Sequence, residues 1–143
     1  MTNPFHLAIP VRNVEEAKKF YIDVLGCKQG RSSSHWVDLD LFGHQLVCHL
    51  DESLGADGKV RLINNEVDAR GVPVPHFGVV LSMDDWQLLA DKLTAVGTEF
   101  VIEPYIRFKG KPGEQATLFF LDPSGNALEF KAFKDLSQLF VVD

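Results

Sequence analysis

Glu129 lies in the stretch Leu118 to Phe130, LFFLDPSGNALEF, where two strand-like runs flank Asp122-Pro123-Ser124-Gly125. Asp, Pro and Gly there occupy the positions that a type I turn favours, so the stretch reads as a hairpin. After the turn Leu128 and Phe130 point to one face, while Ala127, Glu129 and Lys131 point to the other. A carboxylate in the middle of such a strand is costly to bury unless something positive pairs with it. Two histidines far away in sequence, His6 and His76, are the candidate partners. Imidazole and carboxylate together offer either a charge pair or donors to a divalent metal.

Both histidines open a strand that precedes a helix. FHLAIPV, residues 5 to 11, alternates with Phe5, Leu7 and Ile9 on one face and His6 and Ala8 on the other. A helix over 14–25 follows, with Asn13 as N-cap, Glu16 three residues on, an apolar stripe from Val14 through Leu25, and Gly26 as its stop. Strand patterns come next at 27–31, 35–41 and 44–50. From residue 76 the order recurs: a strand HFGVVLS with His76, Gly78 and Val80 on one face, and a helix over 84–96 capped by Asp84 or Ser82 and stopped by Gly97. Strand patterns then follow near 99–103, 115–121 and 126–132. Each half is β-α-β-β-β, and a repeat of this kind governs the fold.

Composition sets the outer bounds. With 143 residues the chain has the size of one compact domain or two small modules. Its net charge of -6, with both signs interspersed, gives no footprint for nucleic acid or an anionic membrane. No apolar run approaches the ~18 residues of a membrane helix, and MTNPFHLAIPVRN lacks a signal-peptide pattern, so a cytoplasmic location is expected. Cys27 and Cys48 form no C-x-x-C and read as reduced packing thiols.

Two βαβββ modules, a His on the first strand of each, and D-P-S-G-N-x-L-E-F closing the second make the chain resemble the vicinal oxygen chelate superfamily over residues 4 to 133. That group contains glyoxalase I, extradiol ring-cleavage dioxygenases, fosfomycin resistance enzymes and bleomycin resistance proteins. The resemblance implies an α+β fold in which each module curls its sheet and the two concave faces enclose a metal cavity. It divides the single domain into module 1 (4–50), a linker (51–75), module 2 (76–133) and a C-terminal tail (134–143). The linker carries Gly55, Gly58, Gly71, Pro73 and Pro75 and is either a lid over the cavity or a surface connector.

His6, His76 and Glu129 fall on equivalent, non-apolar faces, and two imidazoles with one carboxylate bind a divalent ion with positions left open. Fe(II) is the leading metal, with Zn, Mn, Ni or Co as alternatives. Superposing Gly43 on Gly125 puts Val47 where Glu129 sits, whereas glyoxalase I carries a fourth ligand, a Glu, on that strand. Three protein ligands favour substrate chelation with oxygen activation over the four-ligand arrangement. His49, two residues beyond Val47, is the fourth ligand if the register shifts by two, and otherwise a candidate acid/base. Similar extradiol enzymes place a Tyr ten residues before the Glu ligand. Here that residue is Phe119, so Tyr105 or His49 takes the proton-donor role.

The remaining candidates contact substrate. Trp36 is placed to stack on a ring. Asp38 either orients an imidazole, binds a substrate hydroxyl, or is a solvated edge charge. Arg107, in a basic loop 105–114, either holds a carboxylate bidentately or is solvated. His35 and His44 have the opposite parity and read as non-ligands. The apolar tail end, Leu139 to Val142, is expected to dock on the domain or on a homodimer partner. The expected function is a metal-dependent enzyme acting on a small oxygen-chelating substrate, with an extradiol-dioxygenase-like oxidoreductase first. A glyoxalase-type lyase or isomerase, and a non-catalytic sequestering protein of the bleomycin-resistance kind, are the alternatives. Bleomycin resistance proteins lack the metal triad.

Overall fold

The computed structural model describes residues 3–67 and 69–142, which form two compact units. The first comprises Met1–Pro75 together with Asp122–Asn126, and the second His76–Leu121 with Ala127–Asp143.

In the first unit strand β1 (His6–Val11) leads into helix α1 (Val14–Asp23). Asn13 caps the helix by accepting from the Glu16 N–H at 2.8 Å, and Gly26 (φ 74°) takes the left-handed conformation that ends it. Strands β2 (Lys28–Ser32), β3 (Trp36–Leu41) and β4 (His44–Leu50) complete a mixed sheet in the order β1-β4-β3-β2. Ile9, Val11, Val37, Leu39, Leu41, Leu46 and Cys48 are buried, and Val14, Ala17 and Tyr21 of α1 pack on β3 and β4. The opposite face carries His6, Asp38, Gln45 and His49 together with Ala8, Pro10 and Val47.

The linker has secondary structure of its own. It begins with a short 3-10 turn at Glu52–Leu54 and then forms a two-stranded antiparallel sheet, β5 (Ile63–Val67) and β6 (Arg70–Val74). Its strand signal was weak because β5 is exposed throughout and neither strand carries an apolar alternation, the apolar residues of β6 running together as Val72-Pro73-Val74.

The second unit opens with β7 (His76–Phe77) and β8 (Val80–Leu81), the expected single strand 76–82 being interrupted at Gly78. Helix α2 (Met83–Ala95) follows, with Ser82 as the cap that accepts from the Asp85 N–H. Strands β9 (Phe100–Arg107), β10 (Gln115–Leu121) and β11 (Ala127–Phe133) form the sheet β7-β11-β10-β9, with β8 also on β11. Leu118, Phe120, Leu128 and Phe130 are fully buried on the α2 side, where Trp86 Nε1 donates to the Phe130 carbonyl. Tyr105 and Arg107 lie in β9 and not in the loop expected for them. The strand continues past residue 103 because register irregularities between its Ile102 and Tyr105 pairings accommodate Glu103 and Pro104. The tail forms a 3-10 turn at Leu136–Phe140 that touches β11, with Leu136, Phe140 and Val142 exposed.

Candidate functional site

In the second unit the β7–β11 register sets His76 beside Ala127, two residues before Glu129 and on the same face. His76 Nε2 lies 3.2 Å from Glu129 Oε1, which answers the need of this shielded carboxylate (13 % exposed) for a partner. Its other oxygen, Oε2, accepts a 2.5 Å hydrogen bond from Thr117 Oγ1. Phe119 stands opposite Glu129 across β10–β11 and meets the His76 ring edge-on, with centroids 5.0 Å apart. Sequence reasoning missed Thr117. Counting outward from the Asp122–Gly125 turn pairs Phe119 with Glu129 and puts Thr117 one row away on that face, which is the signal that reveals it.

Gly78 has a steric reason to be glycine. A Cβ there would overlap the Glu129 carbonyl oxygen, far inside the 3.0 Å that real Cβ contacts respect. The backbone of residue 78 thus runs directly against β11, and this close approach splits β7 from β8.

In the first unit His6 stands opposite Gln45 across β1–β4, and its Nδ1 is 2.8 Å from Gln45 Oε1. An amide oxygen only accepts, so a proton on Nδ1 would satisfy this contact and leave the Nε2 lone pair available. Gln45 is a second residue that sequence reasoning did not single out. Ala8, Val47 and Asp38 form the next row of this face, and Pro10, His49 and Trp36 the one after. Trp36, Asp38 and His49 therefore share a face with His6. Arg31 already lies over the Trp36 ring, 5.7 Å from its centroid. A cleft of about 490 Å³ adjoins Asp38, Asp40 and Gln45 and is bordered by Lys28 and Gly30.

The registers make the two halves directly comparable. His6 pairs with Gln45 and His76 with Ala127, each two residues after the glycine that precedes its strand. Val47 therefore holds the place of Glu129, and His49 that of Lys131. In the second unit Tyr105 pairs with Thr117 and Arg107 with Gln115, so both share the face of Glu129. His44 Nδ1 accepts from the Phe5 N–H, a structural bond in keeping with its reading as a non-ligand.

Among the described residues no group of three His, Cys, Asp or Glu side chains gathers closely enough to hold a metal ion. The pair His76 and Glu129 nonetheless suits two neighbouring donors of one ion. Ligands about 2.1 Å from a shared metal, set about 90–110° apart, stand about 3.0–3.4 Å from each other, and this pair is 3.2 Å apart. Carboxylate and imidazole are also the donor types that divalent iron, manganese and zinc accept.

The turn Asp122–Asn126 belongs to the first unit and holds its most buried charge. Asp122 accepts from the Tyr21 hydroxyl at 2.7 Å, from the Ser124 and Asn126 N–H groups, and from Asn126 Nδ2, which also donates to the Pro10 carbonyl. Burial pushes the Asp122 carboxyl above its ordinary range, and these hydrogen bonds oppose the shift. The same burial pushes the Tyr21 hydroxyl well up. With every acceptor site engaged, Asp122 fixes the turn and is not available as an acid or base.

A family model described as the glyoxalase/bleomycin resistance protein/dioxygenase superfamily matches residues 4–130. A crystal structure of a glyoxalase/bleomycin resistance protein/dioxygenase from Alicyclobacillus acidocaldarius is 35% identical, over 97% of each chain, with a TM-score of 0.74. The fosfomycin resistance protein FosX from Listeria monocytogenes shares the fold at 14% identity, covering 97% of this chain and 99% of its own, with a TM-score of 0.67. Lactoylglutathione lyase from Agrobacterium tumefaciens shares it at 17% identity, covering 92% and 94%, with a TM-score of 0.63. No curated protein matches the chain at a significant level.

Proposed function

The chain belongs to the glyoxalase/bleomycin resistance protein/dioxygenase superfamily, and from that premise we propose a metal-dependent enzyme acting on a small oxygen-chelating substrate, foremost an extradiol-dioxygenase-like oxidoreductase. The observation that carries this reading is the approach of His76 Nε2 to Glu129 Oε1 at 3.2 Å, with Thr117 holding the second carboxylate oxygen. His6, His76 and Glu129 are the ligands of the proposal, Fe(II) the leading ion, and Zn, Mn, Ni or Co the alternatives. Bound there, the ion supplies Lewis acidity toward two neighbouring substrate oxygens.

The protein's own groups do the rest. Thr117 leaves Oε1 as the oxygen that faces His76, and Gln45 keeps the His6 proton on Nδ1 so that Nε2 is the donor. Tyr105 and His49 are the candidate proton carriers, in a site where Phe119 offers no hydroxyl. Trp36, Asp38 and Arg107 are the candidate substrate contacts. Val47 in the place of Glu129 keeps the protein donors to three, which favours this reading over the four-ligand glyoxalase arrangement. A homodimer is part of the proposal, supported by the exposed apolar residues Leu136, Phe140 and Val142. A cytoplasmic setting is also part of it. No described helix is long and apolar enough to cross a membrane.

Metal analysis of protein purified without chelators, followed by dioxygen uptake with a catechol panel after anaerobic Fe(II) reconstitution, tests the proposal. Stoichiometric metal and uptake in the native protein, both lost in Glu129→Ala, are expected. Metal without uptake on any catechol moves the assignment to the glyoxalase type, assayed with the hemithioacetal of methylglyoxal. A native protein that binds no divalent metal overturns the enzyme reading and leaves ligand sequestration.

A further inference from the structure

We propose that the substrate carries a carboxylate, bound by Lys131 and Arg107 on the Glu129 face of the second unit, an inference that rests on the metal-dependent reading above. Lys131 follows Glu129 by two residues on β11, so both side chains leave the same face. It pairs with Thr117, the residue that holds Glu129, and Thr117 pairs in turn with Tyr105. Lys131 is half-buried, and its ammonium lies 5.9 Å from the centroid of the buried Phe133 ring. The charge is therefore directed along the face toward the next row. Among the described residues no carboxylate lies within ion-pair distance of it. A shielded ammonium resting on an aromatic ring keeps only part of its hydration, and an anionic ligand restores what is lost.

The next row supplies the second cation. Phe133 pairs with Gln115 and Gln115 with Arg107. Arg107 and Gln115 line a cleft of about 360 Å³, with Lys111 as a further cation and Gln138 of the tail among its other walls. Three cations on or beside one face of a chain whose net charge is -6 run against its overall sign. Two-residue steps along a strand are about 6.6 Å, so a bound anion sits about 7–13 Å from Glu129, the reach of an aromatic ring bearing a short acid side chain. The guanidinium fork matches a carboxylate bidentately, and the ammonium serves as a second point charge.

Calorimetric titration without dioxygen, on the protein as purified and after Fe(II) loading, compares 3-(3,4-dihydroxyphenyl)propionate with its primary amide. The acid is expected to bind at least about tenfold more tightly than the amide. That ratio falls in Lys131→Met and in Arg107→Gln, approaches one in the double variant, and survives in Lys131→Arg, which reports that the face still folds. A ratio near one in the native protein, a ratio unchanged in the double variant, or no binding of the acid overturns the proposal. The underlying enzyme reading fails differently: metal or dioxygen uptake is then missing while the acid-over-amide ratio persists.

Discussion

Substitution of Gly78 by alanine isolates the contact that brings β7 and β8 onto β11. The equivalent residue of the first unit, Ala8, carries its Cβ without difficulty in a regular pairing with Val47. At residue 78 the added carbon would overlap the Glu129 carbonyl oxygen, and reaching the 3.0 Å limit requires the backbone to retreat by more than ~1 Å. The pairings on either side, His76 with Ala127 and Val80 with Lys131, are what that retreat breaks. Overpacking of this kind costs about 1–3 kcal/mol. The larger effect falls on the site. A shift of about 1 Å is half of a metal–donor bond, so His76 and Glu129 cease to suit one ion, and metal affinity should fall by about 100-fold or more. Urea unfolding reads the first quantity, and competition against a fluorescent chelator reads the second. Ala8→Gly is the control, expected to cost only about 0.5–1 kcal/mol. A Gly78→Ala protein with native stability and native metal affinity would refute the close-approach account.

Thr117→Val removes the hydroxyl that holds Glu129 Oε2 while keeping shape. It should leave the fold intact and weaken metal binding by about 10–100-fold in the same competition assay, and an unchanged affinity would remove Thr117 from the site. Gln45→Leu should free the His6 tautomer, seen as a change in its ring-nitrogen NMR shifts, with a matching loss of metal affinity. Arg12 holds the Glu16 carboxyl below its ordinary range through bonds of 2.8 and 3.0 Å. A lowered folded pKa gives stability that is present above the unfolded value of 4.5 and is lost as pH falls through the folded one, so Glu16→Gln should flatten the acid limb of the urea midpoint. Burial pushes the Cys27 thiol up to about 12 and the Cys48 thiol up as well. Iodoacetamide at neutral pH should therefore label both only after unfolding, and rapid labelling of the native protein would contradict their packing role.

The repeat was legible because each half carries two periodicities, alternation in the strands and a 3.6-residue stripe in the helices, punctuated by Asn13, Gly26, Ser82 and Gly97. The pairing of a histidine with Glu129 followed from the cost of burying a carboxylate, and His76 meets it. What stayed hidden depends on register. Tyr105 and Arg107 read as loop because they open a basic, glycine-containing segment, whereas the register irregularities around Pro104 let the strand continue through them. The break at Gly78 arises from a backbone contact with a strand some fifty residues on, which no local pattern carries. Thr117 and Gln45 are ordinary polar residues until the cross-strand register puts them beside Glu129 and His6.

The registers also explain why the two halves, built alike, differ in charge. Gln45 pairs with His6 and holds its ring, whereas Ala127 pairs with His76, whose ring is bounded by Glu129 and Phe119 instead. Val47 takes the place of Glu129, so the proposed donor set of two neutral imidazoles has a single carboxylate. Such a set would leave one positive charge of a divalent ion uncompensated, which would favour a substrate bringing an oxyanion or a deprotonated hydroxyl. The second difference lies one step further along the same strands, where His49 corresponds to Lys131. A fixed cation two residues past Glu129 raises the positive potential of that face of the second unit again. Both departures from symmetry act in one direction, toward the anionic substrate proposed above. A neutral, non-chelating ligand would leave the excess charge unmet at both places.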